Sequence, residues 1–534
     1  MTIREELDFI AKRRLLILDG ATGSMIQSKK FTENEFRGSR FKDHPFPLSG
    51  CNDILCLTNP DVIAGIHNAY LGVGADIIET CSFNSTAISL NDYGIGDLAY
   101  EISAAAANIA RNAADKFSNT EKKRFVAGSI GPTAKGASLY PDINDPYKHS
   151  VYWDELETAY YDNARGLIDG GADIFLVETV FDTLNAKAAL YAINRLLDEK
   201  QIDIPVIISA TVSGESGQLL SGQSLDVFCI SVFHAKPWAV GLNCSSGAEK
   251  LLPHIRQLAA NVPCLVSAYP NAGFPNQYGL YDETPKSMSD NIEAYMKEGL
   301  VNIIGGCCGS TPDHIASIAA KAENYKPRNV EKLSFYSGFC GLQPIEIHEN
   351  TINPAHNKEL LALISNGEYE DAADTARDIA DNGAQMLTLK IDDELHLSRF
   401  LDYALMDPYI SKIPFLIESS QWNVIETGLK KIQGRCLAGS VSLSDGDDLF
   451  VQRINTILQY GAAVLLTIAG EKEKADNFEY QTEIIERMSF LLKKHNIDMK
   501  NIVIDIRFYG SDNEELSNIR SLISNNCPDA CFLV

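Results

Sequence analysis

The 534-residue chain carries 46 Lys and Arg against 71 Asp and Glu, a formal net charge of −25, with 22% charged and 45% hydrophobic residues. That length exceeds what one hydrophobic core usually supports, so two large domains are expected; the composition excludes disorder, and no apolar run approaches the ~20 residues of a membrane span. The negative charge opposes phosphate neutralisation and excludes nucleic acid as an expected partner, while the acidic start Met1-Thr2-Ile3-Arg4-Glu5-Glu6 is unlike a secretory signal and points to a cytoplasmic location.

Eight short apolar runs recur through the first part of the chain: 15–20, 76–83, 125–131, 174–180, 206–212, 239–246, 264–272 and 302–310. Helical stretches lie between most of them. In one, Ala186, Ala189, Leu190, Ile193, Leu196 and Leu197 recur at i, i+3, i+4 and i+7, which makes one apolar face to cover a sheet. Near-continuous apolar strands alternating with such helices predict a parallel sheet buried on both sides, and eight units close into a (β/α)₈ barrel over residues 1–325. The charged, proline-containing stretch around Lys326-Pro327-Arg328 reads as a linker, 326–340. A second series then begins at 341–534, with strand candidates 345–350, 386–392, 414–420, 436–443, 463–470, 502–508 and 531–534. The expected class is therefore α/β, two tandem (β/α)₈-type barrels, the second incomplete. With seven strands instead of eight, it is expected to expose a sheet edge between its first and seventh.

Twelve cysteines at irregular intervals read as reduced thiols, with a metal site in place of a disulfide framework. Gly305-Gly306-Cys307-Cys308-Gly309 would end the eighth strand, and Cys244 ends the sixth, so all three thiols reach the C-terminal mouth of the barrel, where such folds place their sites. Three thiolates leave a tetrahedral Zn²⁺ with one open position, which a substrate thiol could fill. Neighbouring strand residues point to opposite faces, so Cys307 and Cys308 can meet one ion only where the chain leaves strand geometry, and the flanking glycines allow that departure. The competing reading is that these cysteines pack as small apolar groups. Other strand ends carry Asp19, Glu79, Asn84, Glu178 and Asp182, as ligand candidates or as caps of the following helices.

Leu18-Asp19-Gly20-Ala21-Thr22-Gly23-Ser24, Gly50-Cys51-Asn52-Asp53, Gly74 to Thr80, Val177 to Thr183 and Gly305 to Gly309 resemble the homocysteine-binding domain of the cobalamin-dependent methionine synthase family, and Tyr269 to Gly273 and Tyr281 to Pro285 extend the likeness. The resemblance implies that Cys244, Cys307 and Cys308 hold zinc, with homocysteine sulfur as fourth ligand. It also implies that Asp19 and Glu178 hold the amino acid's ammonium group, with Gly20 and Asn243 counted among the substrate-binding residues. The implied reaction is methionine formation by attack of the bound thiolate on a methyl group. The Asp-x-His-x-x-Gly signature of a cobalamin-binding domain is absent from these residues, so methylcobalamin is expected from a separate corrinoid-binding protein or a segment outside this sequence. A sulfonium or ammonium donor such as S-methylmethionine is the alternative.

In the second series, Ile417 to Trp422, Gly428 to Gly434 and Tyr460 to Ala463 resemble the methyltetrahydrofolate-binding (pterin-binding) domain of that family. Its ligand positions are eroded: Thr388 and Lys390, Gly439, Gly470, Arg507, Asn350 and Ile352 stand where the family carries other polar residues, leaving Glu349, Thr351, Glu418 and Asp505. Each buried polar partner of a pterin left unpaired costs ~1–3 kcal/mol, so productive methyltetrahydrofolate binding is not expected. The rival expectations are a pocket rebuilt by Lys390 and Arg507, or a non-catalytic module that docks a corrinoid protein through the open edge.

Overall fold

The computed structural model describes residues 2–214, 216–245, 247–275, 281–330, 338–347, 350–468, 478–507 and 513–534. The chain divides into two compact units, one of Met1–Gly136, Val151–Cys229 and Lys236–Phe335, the other of Ala137–Ser150, Ile230–Ala235 and Tyr336–Val534. Among the described residues no helix is long and apolar enough to cross a membrane.

The first unit contains β1 (Leu16–Ile17), β2 (Ile77–Glu79), β3 (Phe125–Ile130), β4 (Ile174–Val180), β5 (Val206–Ala210), β6 (Ala239–Cys244), β7 (Leu265–Pro270) and β8 (Ile303–Ile304). They form one parallel sheet in the order β1-β8-β7-β6-β5-β4-β3-β2. Its ends meet. Leu18 bridges Ile77 in parallel, the Asp76 amide donates to the Ile17 carbonyl at 2.7 Å, and the Asp19 amide to the Ile77 carbonyl at 3.0 Å. The eight apolar runs thus become the eight strands of the expected α/β barrel. Leu16, Ile77, Phe125, Leu176, Ile207 and Ile303 share its core, each burial worth ~1.5–3 kcal/mol. The helix Thr183–Lys200 starts where the Asp182 carboxylate accepts from the Leu184 amide at 2.9 Å, and it buries Ala186, Ala189, Leu190, Ile193 and Leu196 as its periodicity requires.

The second unit contains β9 (Thr351–Ile352), β10 (Leu387–Lys390), β11 (Phe415–Glu418), β12 (Leu437–Val441), β13 (Ala463–Thr467), β14 (Ile502–Asp505) and β15 (Cys531–Leu533). They form a seven-stranded parallel sheet in the order β10-β11-β12-β13-β14-β15-β9. Two expectations are corrected here. The first strand lies at Thr351–Ile352, beyond 345–350, because Ile345 and Ile347 pack on the core as side chains without entering the sheet. The edge expected between first and seventh strands is paired: Phe532 aligns with Thr351 and Leu533 with Ile352. The Phe532 amide donates to the Asn350 carbonyl at 2.7 Å, and Ala355 bridges Leu387 on β10. Backbone hydrogen bonding between the first and seventh strands removes the liability that an eighth would otherwise cover.

Candidate functional site

Cys244 is the last residue of β6, and there the chain turns sharply, with φ of +53° at Cys244 and +58° at Ser245. The eighth strand is shorter than the run 302–310: β8 stops at Ile304, so Cys307 and Cys308 sit in the following loop, where the chain has left strand geometry at the glycines. Gly305 and Gly306 bring that loop against its neighbours, since a Cβ on the first would lie 2.8 Å from the Leu18 Cβ and on the second 2.7 Å from the Ser310 Cβ. Backbone hydrogen bonds fix it: the Cys307 amide to the Pro270 carbonyl at 2.8 Å, the Ala272 amide to the Cys308 carbonyl at 2.9 Å, and the Gly306 amide to the Asp19 carbonyl at 3.2 Å. Both members of the pair thereby face Cys244.

The three sulfurs lie within 4.8 Å of one another, the one such metal-ligating group among the described residues, and all three cysteines are free. Cys308 Sγ stands 3.9 Å from Cys244 Sγ and 3.9 Å from Cys307 Sγ, while Cys244 and Cys307 are 2.6 Å apart. Zinc–sulfur bonds of ~2.3 Å imply tetrahedral edges of about 3.8 Å. Two separations fit such an ion, and the third must open by about 1 Å. Electrostatics favours a cation as well. Hydrogen bonds from Cys244 and Cys307 pull the Cys308 thiol down to about 3, and the Tyr281 hydroxyl adds to the effect. Hydrogen bonding to Cys244 and then to Cys308, with burial, holds Cys307 well above its ordinary value. The trio carries one thiolate easily and resists two more without a positive charge among them.

Beside the thiols, Asp19, Glu79 and Glu178 converge from the ends of β1, β2 and β4. Asp19 is 1% exposed and Glu178 4%. Burial first, and mutual repulsion with it, holds Asp19 and Glu79 well above the carboxylate range. Glu178 is pushed up to about 7 by burial, even though the Ser129 hydroxyl donates to it at 2.5 Å and the Tyr269 hydroxyl reaches it at 3.5 Å. The Glu79 amide donates to both Asp19 oxygens at 3.2 Å. Two buried acids and the half-buried Glu79, which repel one another, form a receptor for a positively charged group.

Gly20 lies at the base of this mouth, where a Cβ would meet Ser310 Oγ at 2.7 Å and the Tyr70 ring at 2.9 Å. Asn243 is fully buried and bonded on both sides of its amide: its oxygen accepts from the Thr179 amide at 3.1 Å and the Ser209 hydroxyl at 2.7 Å, and its NH₂ donates to the Thr179 hydroxyl at 2.8 Å. Thr179 has φ of +57° at the bulge in β4, next to Glu178. Asn243 therefore clamps the turn that aims Glu178. Asp182 caps its helix, and the Asn84 amide donates to Asp53, a buried carboxylate also bonded by the Ser85 hydroxyl. Sequence reading missed Ser129, Tyr269 and Tyr281 as site residues. A serine inside the apolar run Phe125–Ile130 was the available signal for the first, while the tyrosines carry no local mark of their partners.

In the second unit the replaced positions Lys390 and Arg507 bond to the remaining acids Glu418 and Asp505. Lys390 Nζ meets the Glu418 carboxylate at 2.5 Å, Arg507 meets Glu418 at 2.9 Å and Asp505 at 2.7 Å. Burial opposes ionisation of Glu418, but hydrogen bonds from Lys390 and Arg507 outweigh it and keep the carboxylate below its ordinary value. The Thr388 hydroxyl, on a residue 1% exposed, has no hydrogen-bond partner among the described residues. Gly439 lies against Leu465, where a Cβ would come within 2.8 Å of that side chain's Cβ. Glu349 and Gly470 lie outside the described residues.

The sequence model of homocysteine S-methyltransferase matches residues 16–322. The chain belongs to the homocysteine S-methyltransferase family. It is accordingly a methyltransferase domain acting on homocysteine, joined to a region, 351–520, that matches the sequence model of pterin-binding enzymes. Among solved structures it is similar to the homocysteine methyltransferase MmuM from Escherichia coli in its oxidised and metallated forms, each at 21% identity and a TM-score of 0.46 over 60% of this chain and 99% of that one. The apo form of the same protein matches at 20% identity and a TM-score of 0.41, over 58% and 97% of the two chains.

Proposed function

We propose that this homocysteine S-methyltransferase makes methionine on a zinc centre held by Cys244, Cys307 and Cys308, with methylcobalamin as methyl donor. The observation that carries this is the convergence of three cysteine sulfurs within 4.8 Å beside the buried acids Asp19 and Glu178 and the half-buried Glu79. The acids take the substrate's ammonium, and that contact orients the thiol toward the sulfurs. Bound zinc would supply ionisation, since a metal-coordinated thiol is deprotonated where a free one, with a pKa of ~8.5, is mostly protonated. The substrate sulfur then forms its bond to the methyl carbon as the donor–methyl bond breaks, the electron pair leaving with the donor. The glycine loop and the Asn243 clamp hold sulfurs and carboxylates still, so the ordering is complete before substrate arrives. The likeness of Tyr269–Gly273 and Tyr281–Pro285 to methionine synthase favours a corrinoid donor from another protein over a sulfonium.

The second unit, in this reading, does not bind methyltetrahydrofolate productively. Glu418, Asp505, Lys390 and Arg507 satisfy one another, and a pterin would have to break those ion pairs to reach them. A donor panel tests the assignment: methionine should form with methylcobalamin and not with S-methylmethionine, and the reverse result sinks the corrinoid reading. Elemental analysis should find about one zinc per chain, lost in Cys307→Ser; full retention of metal in that variant removes the centre proposed here. Micromolar affinity for methyltetrahydrofolate by calorimetry overturns the reading of the second unit.

A further inference from the structure

The first barrel has a cavity of about 750 Å³ at the pole opposite the thiols, around the segments that lead into β1, β6, β7 and β8. That size falls in the range of sites for small organic ligands. Its charge is unlike that of the rest of the chain. Arg4, Lys12, Arg13, Lys326 and Arg328 line it against the single carboxylate of Asp8, in a protein of net charge −25.

The neighbours of these groups separate structural cations from available ones. Arg4 pairs with Asp203 at 2.7 Å, and Arg328 is spent on the carbonyls of Ala259, Val262 and Cys264. Asp8 accepts from the Trp238 indole at 2.7 Å. Arg13 hydrogen-bonds the Phe9 carbonyl and meets no carboxylate among the described residues. Lys12 and Lys326 are exposed and make no ion pair or side-chain hydrogen bond among the described residues. The lining also carries apolar groups, among them Pro237, Leu265 and Pro327. In a chain with an excess of carboxylates, cations left unpaired around one concavity define a region of positive potential that attracts anions.

We propose that this cavity binds an organic phosphate, with the phosphoryl groups on Lys12 and Lys326 and an apolar body against Pro237, Leu265 and Pro327. The site is independent of the thiol centre, because it uses the opposite ends of β6 and β8. Titration calorimetry on the full chain at low salt, with ADP, inorganic pyrophosphate and adenosine as probes, tests it. ADP should bind with one-to-one stoichiometry and weaken as salt rises; pyrophosphate should bind more weakly and adenosine not at all. Lys12→Glu/Lys326→Glu should weaken ADP at least roughly tenfold, Lys12→Arg/Lys326→Arg should retain it, and Cys307→Ser should leave it unchanged. Absence of ADP binding, pyrophosphate binding as tight as ADP, or unchanged ADP binding in the charge-reversed variant overturns the proposal. Both lysines are exposed, so the variants should fold; should the charge reversal fail to fold, Lys12→Gln/Lys326→Gln gives the same reading.

Discussion

Asn243→Ala separates a clamp from a ligand. The amide of Asn243 satisfies the Thr179 amide, the Thr179 hydroxyl and the Ser209 hydroxyl at 3.1, 2.8 and 2.7 Å, all next to Glu178. Ser209 is fully buried but keeps the Tyr269 hydroxyl as a second partner, and water can reach the partly buried Thr179, so the three lost bonds together should cost ~1–3 kcal/mol. The space left by a side chain with no exposure adds to this. Together they give a loss of about 3–5 kcal/mol, read by urea denaturation of the full chain. Release of the +57° turn at Thr179 should also let Glu178 drift from the ammonium position, raising KM for homocysteine about tenfold with a smaller effect on kcat. If Asn243 instead touches the substrate directly, KM rises while stability changes by less than about 1 kcal/mol, and that outcome refutes the clamp.

Asp53 is held up to about 6 by burial, against hydrogen bonds from the Ser85 hydroxyl and the Asn84 amide. The folded protein therefore keeps this proton between the ordinary 3.8 and about 6 while the unfolded chain releases it, so the group's contribution to stability falls as pH rises through that window, by about 3 kcal/mol in all. Denaturation of wild type and Asp53→Asn at pH 4 and pH 7 should show the variant gaining about that much relative to wild type at the higher pH; a constant difference contradicts the shift. Arg507→Ala leaves Asp505, 1% exposed, without its ion-pair partner and should cost about 2 kcal/mol, discounted because the arginine is partly solvated; an unchanged midpoint in chemical denaturation removes the network from the account of the second unit. Gly309→Ala forces a side chain into φ +81° and onto the Tyr281 ring, so chelator competition should register weaker zinc retention alongside a loss of about 1–2 kcal/mol.

The residues themselves determined the alternation of strand and helix, because each strand is a continuous apolar run and each helix an apolar stripe, both local patterns. Eight runs became β1 to β8, and Cys244, Asp19, Glu79 and Glu178 reached the mouth because parallel barrels deliver their strand ends there. Tertiary structure alone decided what depends on residues distant in the chain. It stopped β8 at Ile304 and carried Cys307 and Cys308 into a loop pinned to Pro270 and Ala272, and it gave Asn243 to the Thr179 turn. It also moved the first strand of the second sheet to Thr351–Ile352 and paired it with Cys531–Leu533, sealing an edge that seven strands were expected to leave open. Periodicity reports which face of an element is buried; which element it meets, and whether an acid finds another acid or an arginine there, follows only from chain closure over hundreds of residues.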